Sequence, residues 1–479
     1  DGSLNYIDVD RGKVSVDQLG FDASTVDYFD IVSRMAEING ELQGGNNLKI
    51  QVGQNRFDYH SRGIDTNPNA DLIPPKAQWG IDGSVLGVIK AGQITLIGTE
   101  DGVGVKTSGR LVAIEDVVLT SAGDIEYGSI QTEGDVKTNS MGSTRQVVST
   151  LAGGKINMQS GGSITLKGLL THGNQGIILN TDKDIYIGNS IEQVMTDQGD
   201  RYTQLHSFND VILSADGDIS LKATYIDSEK KVQLAAHQGE VRNRGVVIGS
   251  NQLDIDAVRV FNSSDGKLSS LGDVEIVGNQ KIVNSGRIES GGELTIKTAE
   301  LQNRDGVVTI DEFGYDDHVS GIYSGEAMDL SIGEGGLLND NNDILSKGQL
   351  NLSVQNQFEN LNSGTISAGA DMALDVVGLF KNNGTIKSNA NLSVDSIQTI
   401  QNSGVLSGQQ LVAIYSEQSV MNTGGTIDGG ARLDIDAKDG NIENRELGVI
   451  QSGGRLLLNT KTLSNIGADS FISGGGIDI

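Results

Sequence analysis

The 479-residue chain has no cysteine, only 3 prolines, a single tryptophan and 4% aromatic residues. Without cysteine there is no disulfide scaffold, zinc–thiolate centre or thiol nucleophile. No run of about 18 apolar residues occurs, so no segment reads as a membrane-spanning helix. Basic residues are also few: 35 Lys and Arg face 63 Asp and Glu, a net charge of −28. That balance excludes nucleic-acid partners and anionic membrane surfaces, both of which call for clustered Lys and Arg. What the chain has in plenty is glycine, 65 residues or about twice the usual share. These glycines follow no every-third-residue period, which excludes collagen. A hydrophobic content of 37%, rich in Val, Ile and Leu, is too high for a disordered chain. Asp1-Gly2-Ser3-Leu4-Asn5 lacks the basic and apolar regions of a signal peptide, so the chain reads as a mature or excised fragment.

Self-similarity organises the second half. Asn362-Ser363-Gly364, Asn382-Asn383-Gly384, Asn402-Ser403-Gly404 and Asn422-Thr423-Gly424 recur at intervals of 20 residues. Looser copies extend the row through Asn243, Asn262, Asn284, Asn303, Asn341, Asn444 and Asn465; the one long step, 38 residues from Asn303 to Asn341, marks an insertion. After each glycine comes an aliphatic residue (Ile288, Ile366, Ile386, Leu406), then a small turn and a strict alternation such as Leu392-Ser393-Val394. A closing apolar residue such as Phe358, Phe380 or Ile400 precedes the next asparagine.

Period-2 alternation over so few residues makes short strands with one buried face. About 20 residues hold three such strands and three turns, too few for a βαβ unit or a propeller blade. The expected fold is all-β: a right-handed parallel β-helix of three short strands per rung, rungs roughly 4.8 Å apart. Asn284, Asn362, Asn382, Asn402, Asn422, Gly364, Gly384, Gly404 and Gly424 are assigned to a structural corner ladder, where positive φ is needed and side-chain amides bond backbone.

The insertion, at about 306–321, carries Phe313, Tyr315, Asp316, Asp317 and His318 and is the candidate recognition loop. Residues 131–240 keep Gly-Asp-Ile/Val marks at Asp124, Asp135 and Asp218 nearby, and read as irregular rungs with longer loops, one spanning about 192–206. Near the N-terminus, Ser24 and Asp27 are spaced as a capping box. Val26, Phe29, Val32 and Ala36 follow at helical spacing before Gly40, predicting a short amphipathic helix over 24–39 against the coil.

The block Asp22-Ala23-Ser24-Thr25-Val26-Asp27-Tyr28, continuing through Ile31, Ser33, Arg34 and Asn39, resembles the end of the secretion domain in two-partner-secreted exoproteins. The run Leu96-Ile97-Gly98-Thr99-Glu100-Asp101-Gly102-Val103-Gly104-Val105 is similar to that family's continuation, and the 20-residue units resemble filamentous-haemagglutinin repeats. Leu86-Gly87-Val88-Ile89 departs from the family's Gly-Gly-Met-Tyr, and Asn67-Pro68-Asn69 lies too late to be its early Asn-Pro-Asn-Gly signal. The resemblance implies three segments: the end of a secretion-type domain over 1–130, irregular rungs over 131–240, and haemagglutinin-repeat rungs over 241–479. It also implies a secreted or cell-surface protein of a Gram-negative bacterium, exported through an outer-membrane β-barrel transporter. Such proteins are adhesins or contact-dependent growth inhibition proteins, whose toxin domain would lie beyond this segment.

Signals for chemistry are weak. Glu100-Asp101-Gly102-Val103-Gly104 is followed by no phosphate-loop lysine, and His60, His172, His206, His237 and His318 share no metal-ligand spacing. Asp311, Glu312, Asp316, Asp317 and His318 read as a solvated acidic loop rather than a cation site. β-Helices that cleave polysaccharides use clustered carboxylates, whereas Asp371, Asp375, Asp434 and Asp436 are dispersed along strands. The expectation is no enzyme, no cofactor and no metal. The expected role is a stalk that projects a distal binding or toxin-delivery region, with a receptor-binding module acting through projecting loops as the alternative.

Overall fold

A computed structural model of the protein describes residues 4–68, 77–188, 202–304 and 320–479. Among these residues every regular element is a β-strand. The chain divides into two compact units, Asp1–Gly239 and Glu240–Ile479.

In the second unit the first two strands of a rung run together as one long strand before Leu350, such as Gln252–Asn262 or Asp273–Asn284. The rungs from Leu350 onward share one plan, and a single rung shows it. Leu392–Ser396, Ile400–Asn402 and Val405–Gly408 are its three strands. Each lies parallel to its copy one rung on, with Leu392 opposite Val412, Ile400 opposite Val420 and Val405 opposite Thr426. Alternation sends Leu392 and Val394 inward and Ser393 and Asp395 outward. In-register stacking then turns one buried position into a column, Leu350–Met372–Leu392–Val412–Leu433–Leu456, all buried. Each such side chain stabilises the rung by about 1.5–3 kcal/mol. Phe358 and Phe380 form an aromatic step in a neighbouring column, their rings stacked 4.6 Å apart.

The first unit follows the same plan less regularly. Asn47–Val52, Gln93–Gly98, Val117–Ser121, Val136–Ser140, Ile156–Ser160, Ile177–Thr181 and Val211–Ala215 stack in parallel along one face. A three-stranded antiparallel sheet of Tyr6–Asp8, Asn55–Asp58 and Ile64–Thr66 is added to this plan. Lys49, on the outer side of a solenoid strand, reaches it: its Nζ donates to the Arg62 carbonyl at 3.1 Å and lies over the Phe57 ring.

The Gly-Asp marks have a physical role. Asp124 and Asp135 accept from the turn one rung on: Ser143 N donates to Asp124 Oδ1 at 2.8 Å, and Lys155 N to Asp135 Oδ1 at 2.9 Å. Serines at strand ends donate the other way, to turn carbonyls one rung back, as in Ser160 Oγ to Gly142 O and Ser388 Oγ to Ala370 O, both 2.7 Å.

The helix expected over 24–39 is absent. Tyr28–Ser33 and Met35–Ile38 are strands, paired in parallel with Asn47–Val52 and Lys13–Val16. Burial there has period two: Ile31, Ser33, Ala36 and Ile38 are inside, while Val26 is exposed. The β-branched Ile31, Val32 and Ile38 favour strand over helix. The supposed capping residues are otherwise engaged, since Ser24 N donates to Asp22 Oδ1 and Asn46 Nδ2 donates to Asp27 Oδ1, both at 2.8 Å.

Candidate functional site: a buried asparagine ladder

Eleven asparagines line one interior corner of the second unit: Asn243, 262, 284, 303, 339, 360, 382, 402, 422, 444 and 465. Their side-chain amides form an unbroken chain in which each Nδ2 donates to the Oδ1 of the next, at 2.7–2.9 Å. The second Nδ2 hydrogen is used as well. It goes to a backbone carbonyl of the adjoining turn, for example Gly364 O from Asn360 and Gly425 O from Asn422. All but the last of these asparagines are buried. A buried amide without partners costs about 1–3 kcal/mol, so the stack solves for each member the problem that its burial creates.

The structure places most of the expected corner residues on this line, with two displacements. Asn284, Asn382, Asn402 and Asn422 are members. Asn362 is not: it sits at an outer turn with φ of 54° and donates to Asp340, and Asn360 takes the interior place. Asn341 likewise yields to Asn339. In both cases a second asparagine lies two residues away, and a repeat count alone does not say which one faces inward.

The corner glycines are needed for a reason other than the one expected. Gly364, Gly384 and Gly404 do not have positive φ; among the four named, only Gly424 does, at 70°. What excludes a side chain is the rung beneath. A Cβ on Gly384 would collide with the Gly364 carbonyl oxygen, and one on Gly404 with that of Gly384. At the turn after Asn422 the chain is one residue longer. There Gly425 fills the column, where a Cβ would meet the Asn402 and Asn422 amides.

Sequence reasoning missed Asn342, which closes the corner beside the inserted segment. It is buried and donates to Asn303 Oδ1 at 3.1 Å and to the Arg304 carbonyl at 2.8 Å. The candidate recognition residues Phe313, Tyr315, Asp316, Asp317 and His318 lie outside the described residues.

Other titratable groups are scattered. His172 and His206 come together with rings stacked 4.9 Å apart, and His206 Nδ1 is 2.6 Å from Asp227 Oδ2. Because 34 residues separate these two neighbours rather than about 20, spacing did not reveal them. Asp375 and Asp395 face each other across adjacent rungs. Burial, then Asp375 and Glu417, raises the Asp395 carboxyl above its usual range. Tyr323, at the rim of the inserted segment, is pushed up to about 12 by burial and by Asp343. Among the described residues no group of three His, Asp or Glu side chains is placed to hold a metal ion.

The first unit has its own interior polar group. Tyr127, fully buried, has its hydroxyl 3.0 Å from Thr150 Oγ1 and 3.3 Å from Gln146 Oε1. Thr150 and Thr171 also donate to that Oε1, and Gln146 Nε2 donates to the Leu170 carbonyl. Burial raises the Tyr127 phenol well above the tyrosine range, so it stays a neutral donor.

Residues 1–127 match the TPS secretion domain. Residues 127–312 and 329–479, in overlapping segments, match the Haemagglutinin repeat. Toxin CdiA of Yersinia pestis is 35% identical over 123 residues, covering 26% of this chain and 4% of that protein. Filamentous hemagglutinin of Bordetella pertussis is 26% identical over 127 residues, again 26% and 4%. A 16S rRNA endonuclease CdiA of Enterobacter cloacae is 23% identical over 300 residues, 63% of this chain and 7% of that protein. The chain thus spans only a few hundredths of the length of these curated relatives. No solved structure matches it.

Proposed function

This chain belongs to the haemagglutinin-repeat family and opens with a match to the TPS secretion domain; from that premise we propose that it is a stalk segment of a secreted, cell-surface exoprotein. It leaves the cell through a two-partner outer-membrane transporter and holds a distal region, for adhesion or contact-dependent inhibition, away from the surface. The observation that carries this reading is the asparagine ladder running through the stacked rungs of Glu240–Ile479. Aliphatic columns, rung-to-rung backbone bonds and the amide chain all repeat along one direction. A solenoid of this kind gains stability with each rung added to its neighbour.

Such accretion also supplies a pull during export, because a rung that folds outside cannot slip back. Leu392→Pro tests this by restricting the backbone and deleting a donor in the middle of an interior strand. The expected result is at least a tenfold fall in secretion through the transporter at equal expression, with an exposed-face control, Ser393→Thr, secreted normally. Normal secretion of the proline variant would refute the reading.

A further inference from the structure

The histidine pair of the first unit stands on an outer face of the solenoid. Leu170–Gly173, Thr203–Ser207 and Ile219–Ser228 are parallel neighbours, with His172 opposite His206 and His206 opposite Asp227. Alternation buries Thr171, Leu205 and Ile226, so the two histidines and the aspartate point outward in one column. The imidazoles lie face to face, 4.9 Å apart and inclined by 14°. Phe208 stands perpendicular to both, at 5.6 and 5.2 Å, and closes one side. Each ring is held by one nitrogen. His206 Nδ1 is 2.6 Å from Asp227 Oδ2, and an ionised carboxylate only accepts, so Nδ1 carries the proton. His172 Nε2 is likewise 2.6 Å from Asn174 Oδ1, another acceptor. Among the described residues neither ring makes another hydrogen bond. In the neutral imidazoles the lone pairs of His206 Nε2 and His172 Nδ1 are therefore uncommitted. A ring whose far N–H is fixed by a carboxylate or carbonyl oxygen is oriented as metal-ligating histidines are.

We propose that His172 and His206 bind one divalent transition-metal ion of the Cu²⁺, Ni²⁺ or Zn²⁺ class. Asp227 and Asn174 are its positioning residues, and water fills the remaining places. Two imidazoles select these ions over Ca²⁺ and Mg²⁺, which require sets of oxygens. With metal–nitrogen bonds of about 2.1 Å, the two free nitrogens must come to roughly 3 Å from each other. The stacked rings therefore open on binding, by side-chain rotation alone, while the strand register stays fixed. Among the described residues no group of three His, Asp or Glu is placed to complete a closed shell, so the ion is open to solvent and exchangeable. The site joins two neighbouring strands whose histidines are 34 residues apart in sequence. A bound ion thus closes a long loop and steadies the irregular step.

The test titrates the full chain with Cu²⁺ alone, by calorimetry and by the nitrogen couplings in its paramagnetic resonance spectrum. The expected result is a single saturable ion with two imidazoles in its spectrum, held more tightly than Ni²⁺ or Zn²⁺. His172→Gln and His206→Gln should each bind at least tenfold more weakly and leave at most one imidazole coupled. A variant with His60→Gln and His237→Gln, both exposed elsewhere, should bind like the wild type. Asp227→Ala should weaken binding about tenfold, and Asp227→Asn, which keeps an acceptor for Nδ1–H, should recover most of that loss. Zn²⁺ should raise the melting midpoint of the wild type and leave that of His206→Gln unchanged. Wild-type affinity weaker than about 1 mM overturns the proposal. So does a wild-type spectrum with one imidazole, binding by His172→Gln within twofold of the wild type, or an equal loss in the His60 and His237 control. Equal binding by Asp227→Ala and the wild type would remove Asp227 from its positioning role.

Discussion

The two units bury polar groups by opposite strategies. In Glu240–Ile479 the interior amides are identical and one rung apart, so each finds its partner in its own copy. In Asp1–Gly239 the interior polar group around Tyr127 mixes a phenol, an amide and hydroxyls, and each bond depends on one particular pair. That second arrangement leaves gaps: Gln51 is fully buried with no protein partner for its amide, as are the hydroxyls of Thr107, Thr138 and Thr144. Repetition makes polar burial self-satisfying, whereas a non-repeating interior must solve it site by site. The same contrast holds outside, since the regular unit exposes few apolar side chains short of its last rung and the irregular one exposes many.

Substitutions can break that comparison, and the most damaging should fall in the regular unit. Gly384→Ala drives a methyl into backbone of the rung below, and no flexible side chain can yield. A loss of about 3 kcal/mol is expected by urea unfolding. Asn382→Leu should cost nearly as much, about 2–3 kcal/mol, because it leaves Asn360 without an acceptor and Asn402 without a donor. Hydrogen exchange should speed up in the rungs on both sides of position 382. If exchange instead changed only at position 382, the amides would act as independent pairs.

Tyr127→Phe probes the other strategy. It removes one donor while Thr150 and Thr171 still donate to Gln146, so the expected loss is about 1 kcal/mol and local in exchange. The smallest effect belongs to Asp395. Its carboxyl is raised in the folded state, so folding favours the protonated form. The stability it contributes is present below the unfolded carboxylate range and is lost as pH rises through the raised folded value. Asp395→Asn should therefore stabilise the chain at neutral pH by a few tenths of a kcal/mol, given its solvent exposure. Melting midpoints compared at pH 4 and pH 7 should show that gain only at the higher pH.

How far the sequence could be read follows the same divide. The rung was legible from 240 onward because neighbouring copies share alternation and length. Its three strands are separate only from Leu350 on; before that two of them run on as one, as in Gln252–Asn262. The corner was legible only to within two residues where asparagines are doubled, since position 360 or 362 satisfies the period and only the pleat decides which points inward. At the N-terminal end, residues 26, 29, 32 and 36 fit a helical face, yet stacking against Asn47–Val52 overrode the local pattern. The pairing of His172 with His206 spans a step of 34 residues, and the exposure of Leu19, Val85 and Leu86 depends on turns that differ in length from rung to rung. No fixed spacing announces them.

The asparagine ladder is also a one-way street. Every amide donates toward the later rung, and a reversed amide would aim its oxygen at the turn carbonyl that now receives its second hydrogen. Each amide carries a dipole of roughly 3.5 D, and here they add rather than cancel. One end of the row closes on the Gly245 amide and the other on the Ser470 carbonyl. The interior of this unit thus tells forward from backward, like an arrow drawn along the coil, so a rung laid down in the wrong sense would meet oxygen with oxygen.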